Sequence, residues 1–328
     1  MSTFKEIRGT LIKSLSSDPS PIANGDIWYN STSKVLKGVV LSGAWASAPS
    51  MSTARSGVAS DGTQTAVFVG GGHLGGGVST TATEEYDGSS WTGGGAMNAS
   101  RRSLVGAGIQ TAGLAFGGYS PSLDGYVALT EEYDGSAWTN VPSMSTARLG
   151  LVGCGTQTAA LAGGGNNGPT VYSATEEYNG SSWSGGGAMI QARGGLSTGL
   201  GTQTAGLGYG GSRPTPALQY SLTEEYNGSS WTAGGALSEV KADVSGTGIQ
   251  TSGLAWGGQT PGGRFATSQA YDGSAWTAGG DLSSARHSTA RAGGSTSALT
   301  AGGDTAAGVT ASVEEYTFAA TTQTFTTS

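Results

Sequence analysis

Six tryptophans stand at nearly constant intervals along this chain, and that periodicity constrains the fold more than any other feature. Trp45, Trp91, Trp138, Trp183, Trp231 and Trp276 are separated by 46, 47, 45, 48 and 45 residues. The fullest recurring phrase is Glu84-Glu85-Tyr86-Asp87-Gly88-Ser89-Ser90-Trp91, which returns with small changes before the next four tryptophans. A shorter echo, Gly43-Ala44-Trp45, precedes them all, and Glu314-Glu315-Tyr316 follows with no tryptophan after it. Midway through each unit a second phrase appears, first as Gly62-Thr63-Gln64-Thr65-Ala66 running toward Gly70-Gly71. It recurs from Gly108, Gly155, Gly201 and Gly248, and in weakened form from Gly294. Either phrase counts six units, and a period of this length marks a solenoid, a propeller or an array.

Each unit reads as four short strands. The first, at residues 56–60 or 149–154, is built from small residues with an occasional valine or leucine. The second carries the Thr-Gln-Thr-Ala run, the third ends at Glu-Glu-Tyr, and the fourth begins at the tryptophan. Asp-Gly or Asn-Gly between tyrosine and tryptophan is a strong short hairpin signal, because Gly tolerates positive φ. A four-stranded sheet with two apolar faces cannot bury both alone, and radial stacking around an axis solves that problem. The expected architecture is therefore all-β, a six-bladed propeller spanning residues 43–316. Two segments compete to supply the outer strand of the last blade: the stretch around Trp45, or residues 321–327.

At these residues the chain resembles the kelch family: an apolar run ending in Gly-Gly, then tyrosine, tryptophan and a small-residue turn leading to arginine, as in Met51-Ser52-Thr53-Ala54-Arg55. The tyrosine-to-tryptophan gap is shorter than kelch repeats usually show, which shortens the hairpin between the third and fourth strands.

Ten residues after each tryptophan stands a cation: Arg55, Arg101, Arg148, Arg193, Lys241 and Arg286. The one unit with lysine in place of arginine also ends in Gln269-Ala270-Tyr271 instead of Glu-Glu-Tyr. Joint loss is what an intra-blade Arg–carboxylate pair predicts, since an orphaned buried charge is costly. A ring of ligand-binding cations is the competing reading. The tryptophans are expected as packing wedges between blades, each contributing roughly 2–3 kcal/mol by area. The Thr-Gln-Thr phrase is expected to hydrogen-bond between blades. The units differ most between the Gly pair and Glu-Glu-Tyr, in loops expected at one end of the disc. Tyr119, Tyr126, Tyr172, Arg213, Tyr220, Arg264 and Phe265 lie there and are the candidate recognition residues.

Composition narrows the function. Of 328 residues 60 are Gly and only 11% are charged, yet eight Trp and twelve Tyr argue against a merely solvated chain. The net charge of −7 offers no basic track for nucleic acid. The single Cys154 excludes an internal disulfide. His73 and His287 are the only histidines, and neither neighbours a second His or Cys in sequence, so no metal, no cofactor and no catalytic site are expected.

Residues 1–42 stand outside the repeat. Trp28-Tyr29, the polar turn 30–33 and the apolar stretch 35–41 read as a β-hairpin, too short for an independent core. With Phe4 and Ile7 it is expected to dock, and residues 317–328 form a C-terminal strand or tail. No continuous apolar run follows the first residues, so neither a signal peptide nor a membrane span is expected. Gly25-Asp26-Ile27-Trp28-Tyr29-Asn30 followed by Leu36-Lys37 resembles the openings of virion proteins in tailed, notably marine, bacteriophages. That resemblance implies a non-enzymatic virion component such as a tail fibre, neck or capsid appendage. Its residues 1–42 would bind other virion proteins, and its propeller would face a host glycan or protein from the particle surface. A cellular kelch-type adaptor and a lectin-like glycan-binding module are the alternatives.

Overall fold

The computed structural model describes residues 12–20, 26–196, 199–214 and 217–325. Phe4 and Ile7 lie outside these residues. Helix is confined, among the described residues, to one turn of 3-10 at Pro121–Leu123, and no helix is long and apolar enough to cross a membrane. The chain divides into two units, 1–43 with 318–328, and 44–317.

The larger unit repeats one pattern. Sheet one comprises Ala59–Thr63, Ala66–Gly70, Thr83–Tyr86 and Trp91–Gly94, each antiparallel to the next. Sheets two to five repeat this order, with inner strands Val105–Ile109, Val152–Thr156, Leu200–Thr202 and Ser245–Ile249. In the sixth, Ala290–Gly294 pairs with Ser297–Ala301, which pairs with Val313–Phe325, and Val35–Ala48 lies beside that strand. Trp45 therefore stands on the strand next to Tyr316, and residues 321–325 continue the strand that holds Tyr316. Each inner strand packs beside the inner strand of the following sheet, and Ala290–Gly294 packs beside Ala59–Thr63. This all-β arrangement of four-stranded antiparallel sheets is consistent with a β-propeller.

The inner strands start three residues later than their composition suggests, at Ala59 and Val152 in place of residues 56 and 149. Gly57 and Gly150 hold φ near +60°, which breaks the extended backbone just before each strand.

Between sheets, three side-chain devices recur. The first is the glutamine of the Thr-Gln-Thr turn: Gln157 Nε2 donates to the Gly113 and Tyr133 carbonyls of the preceding sheet, at 3.1 and 2.8 Å. Gln64, Gln110, Gln203 and Gln250 do the same. The second is the tyrosine hydroxyl, which donates to the second glutamate of the preceding sheet: Tyr178 to Glu132 at 2.9 Å, Tyr226 to Glu177, Tyr271 to Glu225, Tyr133 to Glu85, and Tyr86 back to Glu315. The third is the tryptophan: Trp138, Trp183, Trp231 and Trp276 donate Nε1–H to Thr83, Thr130, Thr175 and Thr223 of the preceding sheet. Each also packs against the tyrosine of its own sheet, ring centroids 4.8–5.1 Å apart. Trp91 instead donates to the Pro49 carbonyl.

In the smaller unit, Ile27–Asn30 pairs antiparallel with Val35–Ala48, and Lys13–Leu15 runs parallel to Ile27–Asn30. Asp18 is its polar hub, accepting from Trp28 Nε1, Asn30 Nδ2 and Lys37 Nζ at 3.1, 2.8 and 2.7 Å. The bond from Lys37 leads the causes that hold its carboxyl below the usual range. Trp28 is buried while Tyr29, on the opposite face, is exposed.

Candidate functional site

The repeated cations are engaged by carboxylates within their own repeat unit. Arg101 Nη2 binds Glu131 at 2.8 Å, and its Nη1 donates to the Gly117 and Leu129 carbonyls of the same sheet. Arg148–Glu176 at 3.0 Å, Arg193–Glu224 at 3.2 Å, Arg55–Glu84 and Arg286–Glu314 repeat the pair, every arginine side chain fully buried. Only the first glutamate of each Glu-Glu serves arginine. The second turns to the neighbouring sheet's tyrosine, because adjacent strand residues point to opposite faces. So the losses at Lys241, Gln269 and Ala270 belong to two contacts, not one. Lys241 pairs with Glu239 at 3.3 Å, and Gln269 Oε1 accepts the Ser238 N–H that a glutamate accepts elsewhere.

The turns that carry these arginines, together with the loops between second and third strands, meet at one end. Two residues past each cation stand Gly57, Ser103, Gly150, Gly195, Asp243 and Ser288, all in left-handed conformation with φ between +52° and +61°. Their backbones form a circuit. Ser103 N–H donates to Gly57 O, Gly150 to Ser103, Leu196 to Gly150, Asp243 to Gly195, Ser288 to Asp243, and Gly57 to Ser288. Gly57, Ser103, Gly150, Asp243 and Ser288 line a small depression of about 40 Å³ with Val58, Leu104, Leu149 and Thr289. Beside it His287 is buried, its Nδ1 3.0 Å from Ser288 Oγ. Burial lowers its pKa from the ordinary value, with Asp243 and Asp304 pulling upward. Nothing in the repeat singles these positions out, since Gly, Ser and Asp are what any turn uses.

Deeper along the inner strands Arg291 spans several sheets. Its Nη2 donates to Gly106 O and Gly153 O at 3.1 and 3.0 Å, its backbone N–H to Ser60 Oγ, and its Nη1 lies 3.7 Å from Asp61. Burial raises the Asp61 pKa against the pull of Arg291, and burial pushes the Cys154 thiol up to about 12. A thiol that stays protonated is a poor nucleophile. Gly195-Leu196-Ser197-Thr198-Gly199 matches the Gly-x-Ser-x-Gly pattern, but it leads into the inner strand Leu200–Thr202, not from a strand into a helix. Ser197 itself lies outside the described residues. Among the described residues no three His, Cys, Asp or Glu side chains gather to hold a metal.

The recognition residues are spread over four sheets' loops. Tyr119 and Tyr126 face each other edge to face at 5.5 Å, with the Arg102 guanidinium 4.8 Å from the Tyr119 ring. Tyr126 is exposed. Tyr172 and Tyr220 are half-buried and held by their backbones, which accept from the N–H of Arg193 and Lys241. Phe265 lies against Lys241, 5.0 Å from ring centroid to Nζ. Arg264 pairs with Asp304 at 2.9 Å, which removes it from the free cations. Arg213 stands on the short strand Ser212–Pro214, which pairs antiparallel with Ala217–Gln219.

No protein-family model and no curated protein matches this chain. Among solved structures it is similar in fold to YjhT, with TM-score 0.68 at 16% identity, over 84% of this chain and 99% of that one.

Proposed function

We propose that the six sheets are the blades of one closed, kelch-like six-bladed propeller that binds and displays, without catalysis. The cyclic adjacency of the inner strands and the bonds from Tyr86 and Gln64 back to sheet six support the closed count. One observation carries the functional part. The side chains that recur in register are spent on contacts within and between sheets, so chemical individuality remains in the loops at one end. A framework of this kind suits recognition by variable loops.

The resemblance around Ile27-Trp28-Tyr29-Asn30 favours a virion protein of a tailed bacteriophage, attached through residues 1–42 and presenting the propeller to a host surface. The exposed Tyr126, held edge to face by Tyr119, favours a sugar ring or a protein side chain as the contact made there, because an exposed aromatic ring stacks on such groups. Mass spectrometry of purified particles from the source is expected to find this chain at constant copy number. Its absence from particles, with the chain recovered among cellular proteins, moves the reading to a cellular adaptor. On a glycan array, Tyr126→Ala and Tyr119→Ala are expected to abolish any signal the wild-type chain gives. A signal unchanged by both places recognition elsewhere.

A further inference from the structure

The seams between sheets are not equivalent. Four of them, from one–two to four–five, carry the glutamine clamp, the tyrosine–glutamate bond and the tryptophan–threonine bond together. The seam between six and one keeps the first two. The seam between five and six carries none. The structure sets this unit's phrase one residue earlier than the sequence suggests, from Gly293, which pairs and turns as Gly62 does, so Ser295 stands in the glutamine's place and reaches Ser252 Oγ at 2.8 Å. Ala270 replaces the glutamate, leaving the Tyr316 hydroxyl without its carboxylate. Ser268 replaces the threonine and turns its hydroxyl to Gly280 O in its own sheet, and the buried Trp45 Nε1 has no partner.

What joins sheets five and six instead lies toward the inner strands and at the loop end, where Arg264 of sheet five pairs with Asp304 of sheet six at 2.9 Å. Thr289 N–H donates to Ser245 Oγ at 3.1 Å, Thr247 Oγ1 to Gly293 O at 2.5 Å, and Trp256 Nε1 to Thr289 and Thr300 at 3.1 and 2.9 Å. Toward the outer strands Trp45 packs 5.0 Å from Trp256 and 5.2 Å from Tyr316.

We infer that sheets five and six part at their outer edge, hinging on the inner-strand bonds, and that this seam is the one through which the molecule opens locally. Opening there uncovers Trp45, Trp256 and Tyr316 and breaks none of the three devices. At every other seam at least two of the three devices must break first. The inference rests on the seams alone and not on the virion reading.

Hydrogen exchange of the full chain, followed by mass spectrometry, tests it. Amides of Ser268–Tyr271 and Trp276–Ala278 are expected to exchange on the order of tenfold or more faster than those of Thr223–Tyr226 and Trp231–Gly234. Ala270→Glu gives Tyr316 the acceptor used at five other seams, and is expected to slow exchange at this seam alone. Ser295→Gln tests the same seam independently should Ala270→Glu fold poorly. Glu132→Ala is expected to speed exchange between sheets two and three. Uniform protection across the seams, faster exchange at another seam of the wild-type chain, or no local slowing by either restoring variant overturns the inference.

Discussion

Arginine 101 and its four counterparts are charges sealed in the interior, and their cost is met by one carboxylate and two carbonyls each. Arg101→Ala leaves Glu131 buried and unpaired, so unfolding in denaturant is expected to lose about 3–5 kcal/mol. Full stability with lost ligand binding would instead make these arginines a binding ring. The tyrosines set the alkaline limit. Burial first, and then the bond to a carboxylate, pushes Tyr86, Tyr226 and Tyr271 up to about 12, and raises Tyr133 and Tyr178 as well. An unfolded tyrosine titrates near 10. Below that pH both states hold the proton and the full contribution is present. From about 10 to about 12 the unfolded chain releases protons that the folded chain retains, so stability falls as pH rises. The urea midpoint is expected to drop between pH 9 and pH 11, and a flat midpoint over that range refutes the assignment. The arginine partnership was legible in the sequence because both members change together in one unit. The division of labour between the two glutamates was not, because both vanish at once there.

At the scale of elements, the hairpins announce themselves through Asp-Gly and Asn-Gly, and the strand order follows from short antiparallel connections. The beginnings of the inner strands do not, since the left-handed residue ahead of each is set by a backbone bond to the neighbouring sheet. The stretch around Trp45 was the better candidate for the outer strand of sheet six, since the last unit lacks a tryptophan and the first has one to spare, but the length of that strand, Val35–Ala48, was hidden. With Val35–Ala48 in that place, a chain beginning at residue 50 exposes one side of Val313–Phe325 and loses the Trp45 contacts with Trp256 and Tyr316. Its thermal midpoint is expected to fall well below that of a chain beginning at residue 44. Equal midpoints would mean that the strand contributes little to sheet six.

For the molecule as a whole, the periodic features were readable and the singular ones were not. Arg291 occupies one inner strand only and binds carbonyls on two other sheets, so no register marks it. The depression at the loop end is built from turn residues whose identity carries little information. The glutamine clamp has a wider consequence. Its acceptors are main-chain carbonyls, which every amino acid presents alike, so one unit grips its neighbour without reading that neighbour's side chains. Loops are therefore free to diverge under the clamp, whereas a unit moved to another position keeps its full junction only where its tyrosine and tryptophan again meet a glutamate and a threonine.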